Sequence, residues 1–205
     1  MLLKEVIVEN FTDIPRQIAN GAERIIVADN LQAGGTTTSK GVIAEATRYI
    51  HEHNKSSYFM IRPRGGDNIY SDTEVKIMEA DIFEAQAQGA DGIMLGALTP
   101  QNTIDTDAME QFIAAANGME IIFSAFDQIA PEQQQDALEW LDEHDIAQIT
   151  TRGSNTAFNR DHIKEIISWA DQTISIVPVF NINDENITDI AKDLGAKIVC
   201  EIDEK

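Results

Sequence analysis

Residues 88–96 read QGADGIMLG, and the same pattern returns as NGAERI at 20–25 and LGAKIV at 194–199. In each copy a stretch with helical spacing runs into Gly-Ala, and a β-branched run follows. Glycine just past a helix end supplies the left-handed residue that closes the helix. Each copy therefore marks the passage from a helix to the next strand. Outward from these marks, short apolar runs alternate with amphipathic stretches along the whole chain. The strand candidates are LKEVIVE (3–9), RIIVAD (24–29), SYFMIRP (57–63), GIMLG (92–96), MEIIFSA (119–125), AQITT (147–151), ISIVPVF (174–180) and KIVCEI (197–202). Between the third and fourth, Val75, Met78, Ile82 and Ala85 recur at helical spacing, and Ser71 with Glu74 has the spacing of a capping box.

Strand and helix in strict alternation predict a parallel α/β fold. Eight strands point to a compact TIM (β/α)8 barrel, a single domain over residues 1–205. The turn after the first strand, VENFTDIP, lacks the glycines of a nucleotide-binding open sheet. A flavodoxin-like sheet is the alternative if two of the strands fail. EIDEK follows the eighth strand directly, so the barrel is expected to lack its eighth helix. That omission predicts an apolar gap between the seventh and first helices, which a second copy would cover in a homo-oligomer, a dimer.

Lys and Arg number 15 against 35 Asp and Glu, a net charge of -20. This excludes a nucleic-acid groove or an anionic membrane surface as partner, because both need clustered positive charge. Cys200 is the only cysteine, which rules out an internal disulfide and predicts a reducing, cytoplasmic setting. No basic n-region followed by an apolar h-region is read at the start of the sequence, so no signal peptide is expected, and no apolar run approaches the ~20 residues of a membrane span.

Chemistry in such a barrel belongs at the carboxyl ends of the strands. The third of these ends lies in FMIRPRGGDNIYSD (59–72), where Arg62 and Arg64 flank Pro63. If Met60 points into the barrel, so does Arg62, because side chains alternate along a strand. Gly65-Gly66 would then bring Asp67 back over the arginines. Two guanidiniums at a closed mouth suit a small carboxylate or phosphate. The competing expectation is that Glu9 or Asp67 holds Arg62 in a structural ion pair. Glu9, Asp67 and Asp127 are the candidate acids and bases. Arg62, Arg64 and Arg152 are the candidate anion holders, and the last strand would add Glu201 and Asp203 to the rim. No lysine stands at a strand's carboxyl end, which excludes a Schiff-base aldolase. Copper would want sulfur or imidazole, yet the histidines fall on helices, and Met60, Met94 and Cys200 read as barrel filling.

MIRPRGGDNIYSD (60–72) closely resembles the signature of the CutC family, cytoplasmic copper homeostasis proteins with a TIM-barrel fold. Further matches follow in order: VEN (8–10), NGAERI (20–25), LQAGGTTTS (31–39), GADGIMLGALTP (89–100), AFD (125–127) and TTRGS (150–154). The resemblance implies a role in copper homeostasis. It keeps Glu9, Arg62, Arg64, Asp67, Asp127 and also Gly96 among the site residues. Where members usually carry Phe-His-Arg-Ala-Phe-Asp, this chain has IFSAFD, with Phe123 at the histidine and Ser124 at the arginine. Ile26 and Ala28 replace the usual glutamate and cysteine of the second strand, and VFN (179–181) replaces a glycine triplet. These departures mark a divergent branch. An enzyme acting on a small phosphorylated or carboxylated metabolite, and a non-catalytic relative, stand as alternatives.

Overall fold

The computed structural model describes residues 2–170 and 173–202. Its strands are β1 Leu3–Glu9, β2 Arg24–Ala28, β3 Ser56–Met60, β4 Gly92–Leu95, β5 Glu120–Phe123, β6 Gln148–Thr151, β7 Ser175–Asn181 and β8 Ile198–Ile202. All pair in parallel, in chain order, and the barrel closes through β1 and β8, with Leu3 opposite Ile198 and Ile7 opposite Ile202. Helices α1 Ile14–Ala19, α2 Lys40–Glu52, α3 Asp72–Ala87, α4 Thr106–Ala116, α5 Gln134–Glu143, α6 Arg160–Trp169 and α7 Ile187–Leu194 follow the first seven strands. Among the described residues none follows β8. The described residues form a TIM barrel of eight strands and seven α-helices, which fits the expected missing eighth helix.

The Gly-Ala marks do what their chemistry requires. Gly21, Gly89 and Gly195 have φ of +86°, +82° and +72°. The next amide then closes on the carbonyl five residues back, from Ala22 to Gln17 at 3.0 Å, Ala90 to Ala85 at 3.1 Å and Ala196 to Ala191 at 2.9 Å. Backbone conformation is the constraint here, since a Cβ built on any of the three meets nothing within 4 Å. The start of α3 is equally legible: Ser71 N donates to Glu74 Oε2 at 2.8 Å, and Glu74 N donates back to Ser71 Oγ at 3.4 Å.

Alternation along the strands divides the core in two. Val6, Val8, Val27, Phe59 and Phe123 face the helices, while Ile7, Ile26, Met60, Met94, Ile122 and Cys200 fill the barrel. The opening ends of the strands are plugged by charge. Glu5, fully buried, accepts from Arg24 Nη1 at 3.1 Å and from Gln148 Nε2 at 2.9 Å. Burial pushes the Glu5 carboxyl up, and the bonds to Gln148 and Arg24 oppose that rise. Nearby, Tyr58 donates to Glu120 at 2.5 Å.

On the side of the barrel between α7 and α1, Lys4 Nζ lies 2.7 Å from Glu201 Oε2. Val199, its neighbour on the outer face of β8, is 2% exposed and packs with α7 residues Ile187 and Ile190 and with Leu2.

Candidate functional site

At the carboxyl ends of the strands lies a cavity of about 390 Å³. Its wall is assembled from separate strand ends, as in other barrels. Arg62 and Asn68 follow β3, Ser124 and Asp127 follow β5, and Thr150, Thr151, Arg152, Ser154 and Asn155 come from the end of β6 and its loop. Met60 and Met94 lie beneath, opposite each other in the β3–β4 register.

Arg62 reaches this wall as strand alternation predicts. The ladder continues past β3, with Ile61 N donating to Met94 O at 2.9 Å, and Thr37 Oγ1 accepting from Arg62 N at 2.9 Å. The guanidinium donates to the carbonyls of Ala33 at 3.3 Å and Gly35 at 3.1 Å, and to that of Gly66. Its Nε is buried with no hydrogen-bond partner. Among the described residues no carboxylate comes within ion-pair distance of it. The expected structural ion pair is therefore absent from Arg62.

That ion pair belongs to Arg64. Its Nε donates to Glu74 Oε1 at 2.5 Å and its Nη1 to Asp67 Oδ1 at 3.0 Å. Further bonds reach the carbonyls of Gly65, Asp67 and Ile69. Bonds from Ser71 and Arg64 hold the Glu74 carboxyl below its ordinary range. Arg64 thus ties the β3 loop to the start of α3 and takes no part in the cavity wall.

Only one of the three candidate acids comes to the cavity. Asp127 sits in the short 3-10 helix Phe126–Gln128 after β5. It accepts from the backbone N of Arg152 at 2.7 Å and from Thr151 Oγ1. Burial raises its pKa, against the lowering effect of the Arg152 amide, Thr151 and the charges of His162 and Arg152. A buried carboxyl shifted this way can pass a proton to or from a bound molecule. Glu9 instead accepts from Leu31 N at 2.8 Å, which caps the short 3-10 helix Leu31–Ala33. Asp67 is exposed and spent on Arg64 and on Ile69 N. Gly96 lies behind the wall, where a Cβ would stand 2.6 Å from Ala125 Cβ, so glycine lets the two strand ends approach. Arg152 lines the cavity; Asp203 lies outside the described residues.

Sequence reading passed over Asn68, which is 5% exposed. It stands inside the quoted arginine stretch, but an asparagine after Gly-Gly-Asp looks like loop chemistry. A side cavity of about 220 Å³ was also missed; it adjoins Asp127 from the other side and is lined by Gln134 and His162. His162 Nε2 lies 2.6 Å from Gln134 Oε1 and its Nδ1 2.9 Å from Glu165 Oε2.

The donors for a resident metal are sparse. Among the described residues no group of three or more His, Cys, Asp or Glu could hold an ion. Cys200 is buried, and desolvation pushes its thiol well up, away from the thiolate a metal needs. Among the described residues no helix is long and apolar enough to cross a membrane.

The CutC family model matches residues 2–202. A CutC family protein of Enterococcus faecalis is 43% identical over 97% of this chain and 100% of its own length. The human copper homeostasis protein cutC homolog is 34% identical over 95% of this chain and 70% of its own. The crystal structure of CutC from Streptococcus agalactiae superposes with a TM-score of 0.94 at 38% identity, covering 98% of both chains. On sequence, length and fold together, the chain belongs to the CutC family.

Proposed function

We propose that this CutC-family barrel binds a small anion, a carboxylate or a phosphate, in the cavity at the carboxyl face, in a cytoplasmic setting. One observation carries the reading. Arg62 stands in the cavity wall with its hydrogen bonds spent on neutral carbonyls and no carboxylate beside it. In a chain of net charge -20, a cation left uncompensated at a partly enclosed site favours an anion there. The relatives' names bring copper homeostasis to this chain. The donor set fits that role through a bound small molecule better than through a resident copper ion.

One observation favours a second reading. Met60 and Met94 face each other in register at the cavity floor, and thioethers suit Cu(I) as a passing cargo. Thermal unfolding of the metal-free protein separates the two. Inorganic phosphate or a simple carboxylate at 100 times its dissociation constant stabilises by about 2.7 kcal/mol, several degrees at this size. The anion reading expects that shift, and its loss in Arg62→Gln. A shift with Cu(I) alone, lost in Met60→Leu, would replace it with the copper reading.

A further inference from the structure

The cavity wall is sorted by polarity around the barrel. Val179 of β7, Ile202 of β8 and Ile7 of β1 form one continuous arc, and they are neighbours because the barrel closes between β8 and β1. The polar groups come from the opposite arc, the ends of β3, β5 and β6. In barrels that hold phosphate, the head group is usually gripped after the seventh and eighth strands. Here that quarter is apolar. The loop beyond β7 also satisfies itself: Asn181 N donates to Asp184 Oδ2 at 2.8 Å and Asn183 N to Asn181 Oδ1 at 3.0 Å.

Arg62 has a neighbour that extends its reach. The guanidinium's charge is felt at Tyr70, whose hydroxyl donates to Asn68 Oδ1 at 3.0 Å. Tyr70 is held in place between the two arginines, with Arg64 Cζ 5.5 Å from its ring centroid. With Oδ1 of Asn68 taken, its N–H donors are left for the cavity.

We propose that the ligand is amphiphilic: one anionic head between Arg62 and Asn68, and an apolar body lying over Met60 and Met94 against the Val179–Ile202–Ile7 arc. This rests on the anion reading and adds the class of molecule. A cavity of about 390 Å³ sits at the small end of ligand sites, ~300–1,000 Å³, so the body is short. Tyr70 is a positioning residue, since it acts on the head through Asn68.

The test is calorimetric titration of the whole protein with inorganic phosphate and with straight-chain alkyl phosphates from methyl to hexyl, at one pH and ionic strength. Each methylene laid on the apolar arc should tighten binding about fourfold, until the floor is covered. Val179→Thr should flatten that dependence and leave inorganic phosphate unchanged. Tyr70→Phe should weaken every member by a common factor and keep the dependence on length. Asn68→Asp, which puts a negative charge at the head, should abolish binding while the melting profile shows a folded protein. If methyl through hexyl phosphate all bind as inorganic phosphate does, the amphiphile is overturned and the anion site stands. If no member binds, the anion reading fails and takes this inference with it.

Discussion

Arg64 Nε donates to Glu74 Oε1 at 2.5 Å, and this contact divides the labour of two arginines that sequence alone treats as a pair. Arg64 has its carboxylates, Glu74 and Asp67. Arg62, two residues earlier and on the inner side of the chain, has none among the described residues. Arg64→Ala should therefore lower the melting temperature by a few degrees, because the β3 loop loses its tie to α3, and leave phosphate affinity within about twofold of wild type. Titration of the folded variant decides it; a tenfold loss of affinity would put Arg64 back in the site.

The barrel was legible because its punctuation is backbone chemistry. Gly89 and its counterparts must be left-handed, and Ser71 must cap α3, whatever the rest of the molecule does. The inward direction of Arg62 was equally readable, since alternation follows from the pleat. The partners of Arg62 were not. Which acid meets which arginine depends on the path of the Gly65-Gly66 turn and on Glu9 reaching Leu31 across a different loop, long-range choices that carry no local signal. Asp127 was found by its place after β5. Asn68 was missed because its role depends on Tyr70, and a tyrosine two residues on has many other possible duties.

On the anion reading Arg62 serves both site and scaffold, so its removal should show both. Arg62→Gln leaves the carbonyls of Ala33, Gly35 and Gly66 short of donors, at a cost of about 1–3 kcal/mol. It also removes the cavity's uncompensated charge and should cut phosphate affinity at least tenfold. Arg62→Lys keeps the charge on a shorter reach and should retain part of the binding with a similar loss of stability. Denaturant midpoints and calorimetry on the two variants check this, and binding unchanged in Arg62→Gln would refute the anion site.

Asp127 makes a pH prediction whose sign is fixed. Burial holds its folded pKa above the ordinary 3.8. Below about pH 3.8 the carboxyl is protonated in folded and unfolded chains alike, so its contribution to stability is fully present. As pH rises through the raised folded value, the unfolded chain holds fewer protons than the folded one and that contribution is lost. Stability measured from pH 4 upward should therefore decline less steeply in Asp127→Asn than in wild type. Parallel slopes would show that Asp127 ionises alike in both states. The substitution also sets an amide N–H2 where one donor now points, toward Thr151 or Arg152 N, and should cost about 1–2 kcal/mol at acidic pH.

The plug at the other end of the barrel is a matter of stability alone. Glu5 is fully buried and holds Arg24 and Gln148 together across β1, β2 and β6. Glu5→Ala deletes the acceptor for both and leaves a guanidinium, 21% exposed, without its buried partner. Such deletions cost about 3–5 kcal/mol. Glu5→Gln keeps an acceptor for Arg24 and removes the ionisation that burial opposes, so its loss should be under half as large. Urea unfolding of the two variants measures the difference. A full-sized loss in Glu5→Gln would show that the charge on Glu5 holds the plug, while a loss below about 1 kcal/mol in Glu5→Ala would show that water reaches Arg24 once the carboxylate is gone.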